Sequence, residues 1–434
     1  MITKKLKYIM KNFLLNYEKD KGKIFFSFCI IVVYTFYLFN YDISKQHDTW
    51  LHHQYIFKIL NFDFKNINSE YGLFYYIYVS SFAILTSPLY FFDFLDPRTV
   101  FYLTIKLANY TLLLLTIYFL WNFLNQVLTK KKIFLLISIL FSFAFFNRTF
   151  FMARPENLMI PISIVILQET YTIIKSKKIN FYKFVFFLAI IAAQKVSGFI
   201  FASFILFFIV FFSSIKNKSR IIVYFIFLLL ILYLNHYLIT GVKFYQNSDQ
   251  LFGNAHTLGI INNITNFDIF YNFSFFDAWN NPIRNSQKYS MINILSLDLI
   301  GDYWRYGIIN ISIYKNTNLC LILSNRNSIV FFIFFLILVL FSINHYFFDK
   351  KKMIFLLFSI LPLVGIGVLI IAAFFRINLA DSDIFKFEYI SFFLIPFSLV
   401  MYDLYKKKLA LKLIILFMIF LGLYNNLIPL HCLI

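Results

Sequence analysis

The sequence predicts an all-α polytopic membrane protein with about eleven transmembrane helices, and three observations carry that expectation. The chain of 434 residues is 61% hydrophobic and 22% aromatic, whereas a soluble domain is about 45–50% apolar. Its apolar residues fall in runs long enough to cross a hydrocarbon core of about 30 Å. Its formal charge of +20 sits in short lysine clusters between those runs, the pattern of a cytoplasmic-side bias. That placement argues against nucleic acid as the partner of the charge. The three cysteines, Cys29, Cys320 and Cys432, match no metal-ligand spacing and imply no disulfide framework.

Taken in order, the chain opens with Lys4, Lys5, Lys7, Lys11, Lys19, Lys21 and Lys23, which place the N-terminus in the cytoplasm. The apolar run at 24–40 lacks a small-residue cleavage site and is expected to remain as an anchor. Further clusters lie at 130–132, at Lys175, Lys177, Lys178 and Lys183, at Lys216, Lys218 and Arg220, at 350–352, and at 406–408 with Lys412. All face the cytoplasm if the later spans run over 99–126, 133–147, 157–174, 181–195, 196–213, 219–239, 328–347, 353–375, 387–403 and 410–428. The apolar stretch at 73–92 must then fail to cross, so we expect an interfacial or re-entrant hairpin broken at Pro88. Spans 133–147 and 181–195 fall below the usual ~17–25 residues, which would leave a depression at their outer ends. The chain thus divides into a transmembrane module over 1–239 with a first outer loop at 41–98, a large extracytoplasmic loop over 240–327, and C-terminal helices over 328–434.

This topology separates the two kinds of cation. Seven of the eight arginines (Arg98, Arg148, Arg154, Arg284, Arg305, Arg326 and Arg376) fall outside the cytoplasmic clusters. The inner-leaflet bias does not distinguish arginine from lysine. A planar guanidinium that grips phosphate or carboxylate with two hydrogen bonds accounts for the split, as does structural pairing with the outer acids.

Five outer segments carry chemistry. In the first, Asp48 and His52 stand four residues apart, on one face of a helix. Trp50, Leu51, Ile56, Phe57 and Leu60 supply an apolar side for lipid headgroups. Asp48 is the candidate general base, with Glu70 or Asp42 as substitutes. Arg154 and Glu156 flank a proline suited to a first helical turn, and Glu156 there also answers the helix dipole. Lys195 lies in a polar interruption, Gln194-Lys195-Val196-Ser197-Gly198, between apolar runs, a costly placement that marks function, pairing or snorkelling. The large loop offers Trp279, Arg284 and Arg305, and a smaller one Arg376. Asp48, His52 and His53 have the residue types to ligate a divalent metal. Adjacent imidazoles point to different helix faces, however, so no metal is expected to be required.

The layout resembles the GT-C superfamily of integral-membrane glycosyltransferases. Asp48-Thr49-Trp50-Leu51-His52 is similar to that family's Asp-Glu-x-x-His pattern, with threonine at the second acid. Glu70-Tyr71-Gly72-Leu73-Phe74-Tyr75-Tyr76 resembles its Pro-Pro-x-Tyr-Tyr segment without the prolines. The resemblance implies transfer of a sugar from a polyprenyl-phosphate-linked donor to a glycan, lipid or protein acceptor at the outer face of the cytoplasmic membrane. Asp48, His52 and Glu70 would then be catalytic, and Arg154, Lys195 and Arg376 would hold the donor phosphate. Tyr71, Glu156, Trp279, Arg284 and Arg305 would contact substrate. A polysaccharide-repeat polymerase or ligase is the alternative, and would shift the chemistry to the arginines of the large loop. A lipid-linked sugar flippase or transporter is disfavoured, because charges gather at span ends and no internal repeat is found.

Overall fold

The computed structural model describes residues 35, 49–64, 72–91, 95–127, 138–143, 149–150, 152–176, 180–213, 218–240, 274–282, 290–301, 317–349, 352–375 and 387–431. Among these the chain is helical throughout, without a strand. The helices are α1 (Thr49–Leu60), α2 (Phe74–Ser81), α3 (Ala83–Phe91), α4 (Pro97–Val127), α5 (Glu156–Ser176), α6 (Phe181–Gln194), α7 (Val196–Phe212) and α8 (Lys218–Thr240). The second half adds α9 (Phe275–Asn280), α10 (Met291–Asp298), α11 (Thr317–Phe347), α12 (Met353–Phe375), α13 (Ser391–Leu394), α14 (Phe397–Tyr405) and α15 (Leu409–His431). A 3-10 turn, Phe387–Ile390, leads into α13.

Their starts follow local chemistry. Before α4, Asp96 accepts from the Arg98 and Thr99 amides at 3.0 Å, with Pro97 at the first helical position, where a missing N–H costs nothing. The Thr99 hydroxyl holds the Asp96 carboxyl below the usual carboxylate range. Asn180 caps α6, Ser274 caps α9 and Ser290 caps α10 in the same manner.

Five helices are long and apolar enough to span a bilayer: α4, α5, α8, α11 and α12. α6, α7, α13 with α14, and α15 are apolar but shorter, so among the described residues the chain is a multi-pass membrane protein in which eleven crossings cannot be counted. Of the expected spans, 24–40 falls outside the described residues except Thr35, and 133–147 is described only at 138–143. The span expected to begin at 328 begins at Thr317. α8 turns Val223, Phe227, Leu230, Leu234 and Leu238 outward, as a helix against lipid does.

The stretch at 73–92 corrects one expectation. Pro88 lies inside α3, and the break falls at Phe82, whose N–H bonds to the Ser80 and Val79 carbonyls. α2 and α3 run antiparallel to the first half of α4. Tyr75 meets Asn109, Tyr78 meets Ala108, and Thr86 meets Thr104. The pair therefore accompanies α4 for only part of its length. α1 corrects another expectation. Ile56 is buried in the core beside Tyr55 and Ile59, while Phe57 is exposed, so its apolar residues do not share one lipid-facing side.

The bundle has two distinguishable ends. At one, Phe201 near the start of α7 packs on Phe392 and Phe393 of α13, and the Phe387 N–H donates to Asp298. There Asn425 donates to the Ile300 and Ser324 carbonyls, and the Ser328 hydroxyl accepts from the Ile300 amide. Cys320 belongs to this end and is disulfide-bonded, a pairing made by the fold and invisible in the cysteine spacing. At the other end Phe123 packs on Tyr171 and Phe358. Lys183 pairs with Glu169 at 2.6 Å, and Lys352 with Asp403 at 3.0 Å.

Candidate functional site

Three residues separated in sequence meet at the Cys320 end. α5 begins at Glu156 and α7 at Val196, so the electropositive N-termini of two helices open at one place. Arg154 precedes the first helix and Lys195, in extended backbone, precedes the second. The Lys195 ammonium pairs with Glu156, whose carboxylate is 1% exposed, and the Arg154 guanidinium, 3% exposed, adds its charge at the same carboxylate. Two cations thus meet one carboxylate in a place nearly free of water, where their fields are strongly felt.

The frame around the cluster is polar and specific. Gly72 donates to the Gln194 carbonyl at 2.8 Å, and the Gln194 side-chain amide donates to the Gly72 carbonyl at 2.6 Å. A Cβ on Gly72 would lie 2.3 Å from the Ala193 carbonyl oxygen, so only glycine permits this approach. Similarly a Cβ on Gly198 would lie 2.0 Å from the Ile191 oxygen and 2.7 Å from Met159, which locks the first turn of α7 against that of α5. Tyr75 donates to Asn109 at 2.9 Å, and Asn109 donates to the Met152 carbonyl at 2.8 Å. Asn157 donates to the same carbonyl at 2.6 Å. This network joins α2, α4 and the turn that carries Arg154.

His52 is buried on α1, with Nδ1 2.7 Å from the Tyr76 hydroxyl. Its neighbour His53 packs edge-on against Phe101 and beside Tyr102, and burial lowers its pKa to about 4. Trp279 stands in a separate group, between Phe275 and Arg326, whose guanidinium lies 5.5 Å from the indole and whose Nε donates to the Trp279 carbonyl.

Of the residues singled out from sequence, Arg154, Glu156 and Lys195 thus come together. Asp48, Glu70, Tyr71, Arg284, Arg305 and Arg376 lie outside the described residues. Asn109 was missed, and Tyr75 was noted only as part of the segment from Glu70 to Tyr76. The signal for Asn109 was available, as an amide in the middle of α4, away from those at its C-terminal end.

Comparison with family models, with curated proteins and with solved structures finds no match to this chain.

Proposed function

We propose that the chain is a membrane glycosyltransferase of GT-C type. In this reading it moves a sugar from a polyprenyl-phosphate-linked donor to a cell-envelope glycan, lipid or protein acceptor at the outer face of the cytoplasmic membrane. The observation that carries it is the cluster of Arg154, Glu156 and Lys195, buried where two helix N-termini open. A phosphate ester bearing a lipid tail suits such a place. Its charge is stabilised by cations and amides, and its tail stays in hydrocarbon beside the apolar helices.

In this reaction a base takes the proton of an acceptor hydroxyl. The acceptor oxygen then bonds to the anomeric carbon as the anomeric carbon–phosphate oxygen bond breaks. Polyprenyl phosphate leaves with the electron pair, so charge grows on the phosphate oxygens, where Arg154 and Lys195 meet it. Asp48 is our base, with His52 on the following helix. Arg376 is a further candidate for the phosphate. Tyr71, Glu156, Trp279, Arg284 and Arg305 are candidates for contact with substrate. A divalent metal is not required by this scheme.

Two features support an outward-facing site. The Cys320 disulfide suits an oxidising compartment, and the opposite end of the bundle carries Lys183, Lys352, Lys406, Lys407 and Lys408. The test is release of radiolabelled sugar from a polyprenyl-phosphate carrier in membranes. Asp48→Asn abolishes transfer with normal insertion, and Lys195→Gln lowers the rate about 100-fold or more. Full activity in either variant rejects the assigned role.

A further inference from the structure

Cys320 is buried near the start of α11 and is disulfide-bonded. The other cysteines of the chain are Cys29 and Cys432, and helix register separates them. α11 and α15 pack side by side and antiparallel, aligned by three contacts. His345 meets Lys407 at one end, Phe334 packs edge-on against Phe417 in the middle, and Asn327 donates to the Asn425 side chain at 2.9 Å toward the other end. His345 and Asn327 are as far apart in sequence as Lys407 and Asn425, so the two segments keep pace over that whole length.

Cys320 lies seven residues before Asn327, and Cys432 seven residues after Asn425. Seven residues make about two turns, a rise of about 10.5 Å with a drift of only about 20° around the axis. In an antiparallel pair both steps run the same way and return to the facing sides. α15 stays helical to His431, the residue before Cys432, so the register carries to the cysteine. Axes about 8–10 Å apart, with Cα atoms about 2.3 Å from each axis, bring facing residues within reach of the roughly 4.4–6.8 Å Cα separation of a disulfide. Cys29 instead stands six residues before Thr35, whose hydroxyl donates to Tyr110 at 3.3 Å. Tyr110 lies midway along α4, a helix that packs on α2, α3 and α5.

We propose that Cys320 and Cys432 are joined as a covalent clasp between the start of α11 and the end of α15, with Cys29 left as a thiol. Forming the Sγ–Sγ bond takes one proton and one electron from each thiol. The acceptor is a protein disulfide of the thiol-oxidant class, which exchanges through a mixed disulfide and leaves as a dithiol. The clasp closes the end of the seam at which Asn425 donates to the Ile300 and Ser324 carbonyls. It therefore secures the segment after α10 as well as α15, and it stands independently of the sugar-transfer reading.

The experiment dissolves membranes holding the full chain in SDS with a polyethylene-glycol maleimide, with or without prior reduction, and counts the additions by gel shift. The wild type is expected to gain one without reduction and three after it. Cys29→Ser should gain none without reduction and two after it, and should run as a monomer in both. Cys320→Ser and Cys432→Ser should each gain two under either condition. Any addition to unreduced Cys29→Ser overturns the clasp, because Cys320 then bonds to Cys29 or to nothing. A dimer of Cys29→Ser that reduction dissolves overturns it as well, by showing a bond between chains.

Discussion

At the scale of single residues, the Lys195–Glu156 pair makes the sharpest demand. Removing one partner of a buried ion pair strands the other, at about 3–5 kcal/mol, whereas an apolar or neutral replacement of both is far better tolerated. Lys195→Met and Glu156→Gln are each expected to lower the melting temperature. The double variant should regain most of the loss, and it should show no transfer activity. Independent, additive losses in a double-mutant cycle would reject the pair. His53 gives a second test, in pH. Its folded pKa of about 4 lies below its ordinary 6.5. Between those values the unfolded chain takes up a proton that the folded chain refuses. Stability therefore falls as pH falls through that window, by at most about 3 kcal/mol, and the whole penalty is present below about 4. His53→Phe, which suits the aromatic surroundings of Phe101 and Tyr102, should flatten that part of the pH–stability curve measured in detergent.

At the scale of elements, the junctions decide more than the spans do. The edges of α5, α6, α7 and α12 were legible, because a change from apolar to polar residues marks them within a few positions. The break at Phe82 was not, since neither proline nor glycine marks it, and Pro88 lies inside α3 instead. Nor was the meeting of Gly72 with Gln194, which depends on a close approach between segments more than a hundred residues apart. Glycines separate these cases experimentally. Gly72→Ala should detach α2 from the turn between α6 and α7 and cost more than about 2 kcal/mol, because its Cβ would meet backbone at 2.3 Å and 2.9 Å. Gly365→Ala should cost less, since its nearest neighbour at 2.9 Å is the Phe393 side chain. Gly367→Ala, with nothing within 4 Å, should be neutral or stabilising by up to about 1 kcal/mol, the helix preference of alanine over glycine. Melting temperatures of the three variants in one detergent give the order directly. Equal effects would mean that close approach at Gly72 does not hold the junction.

At the scale of the whole molecule, charge sorting and helix packing agree on two unlike ends. Arg154 and Lys195 were singled out as polar stations, but residues so far apart in sequence show no sign of sharing Glu156 until α5 and α7 are laid side by side. Lys183, Lys352 and Lys406 to Lys408 gather at one end of the bundle, as expected if the lysine clusters share one membrane face. Asp403 at that face takes Lys352 at 3.0 Å, Lys407 at 3.6 Å and the Tyr346 hydroxyl at 2.6 Å. Two ammonium groups thus share one carboxylate. With the Lys352 end toward the cytosol, a single cysteine at 408 in a chain otherwise lacking cysteine should react with an impermeant maleimide only after the membrane is opened. A cysteine replacing Asp277, exposed at the Cys320 end, should react in intact cells. Labelling of position 408 from outside would place Arg154 and Lys195 toward the cytosol, and the donor would then have to be one presented on the inner leaflet.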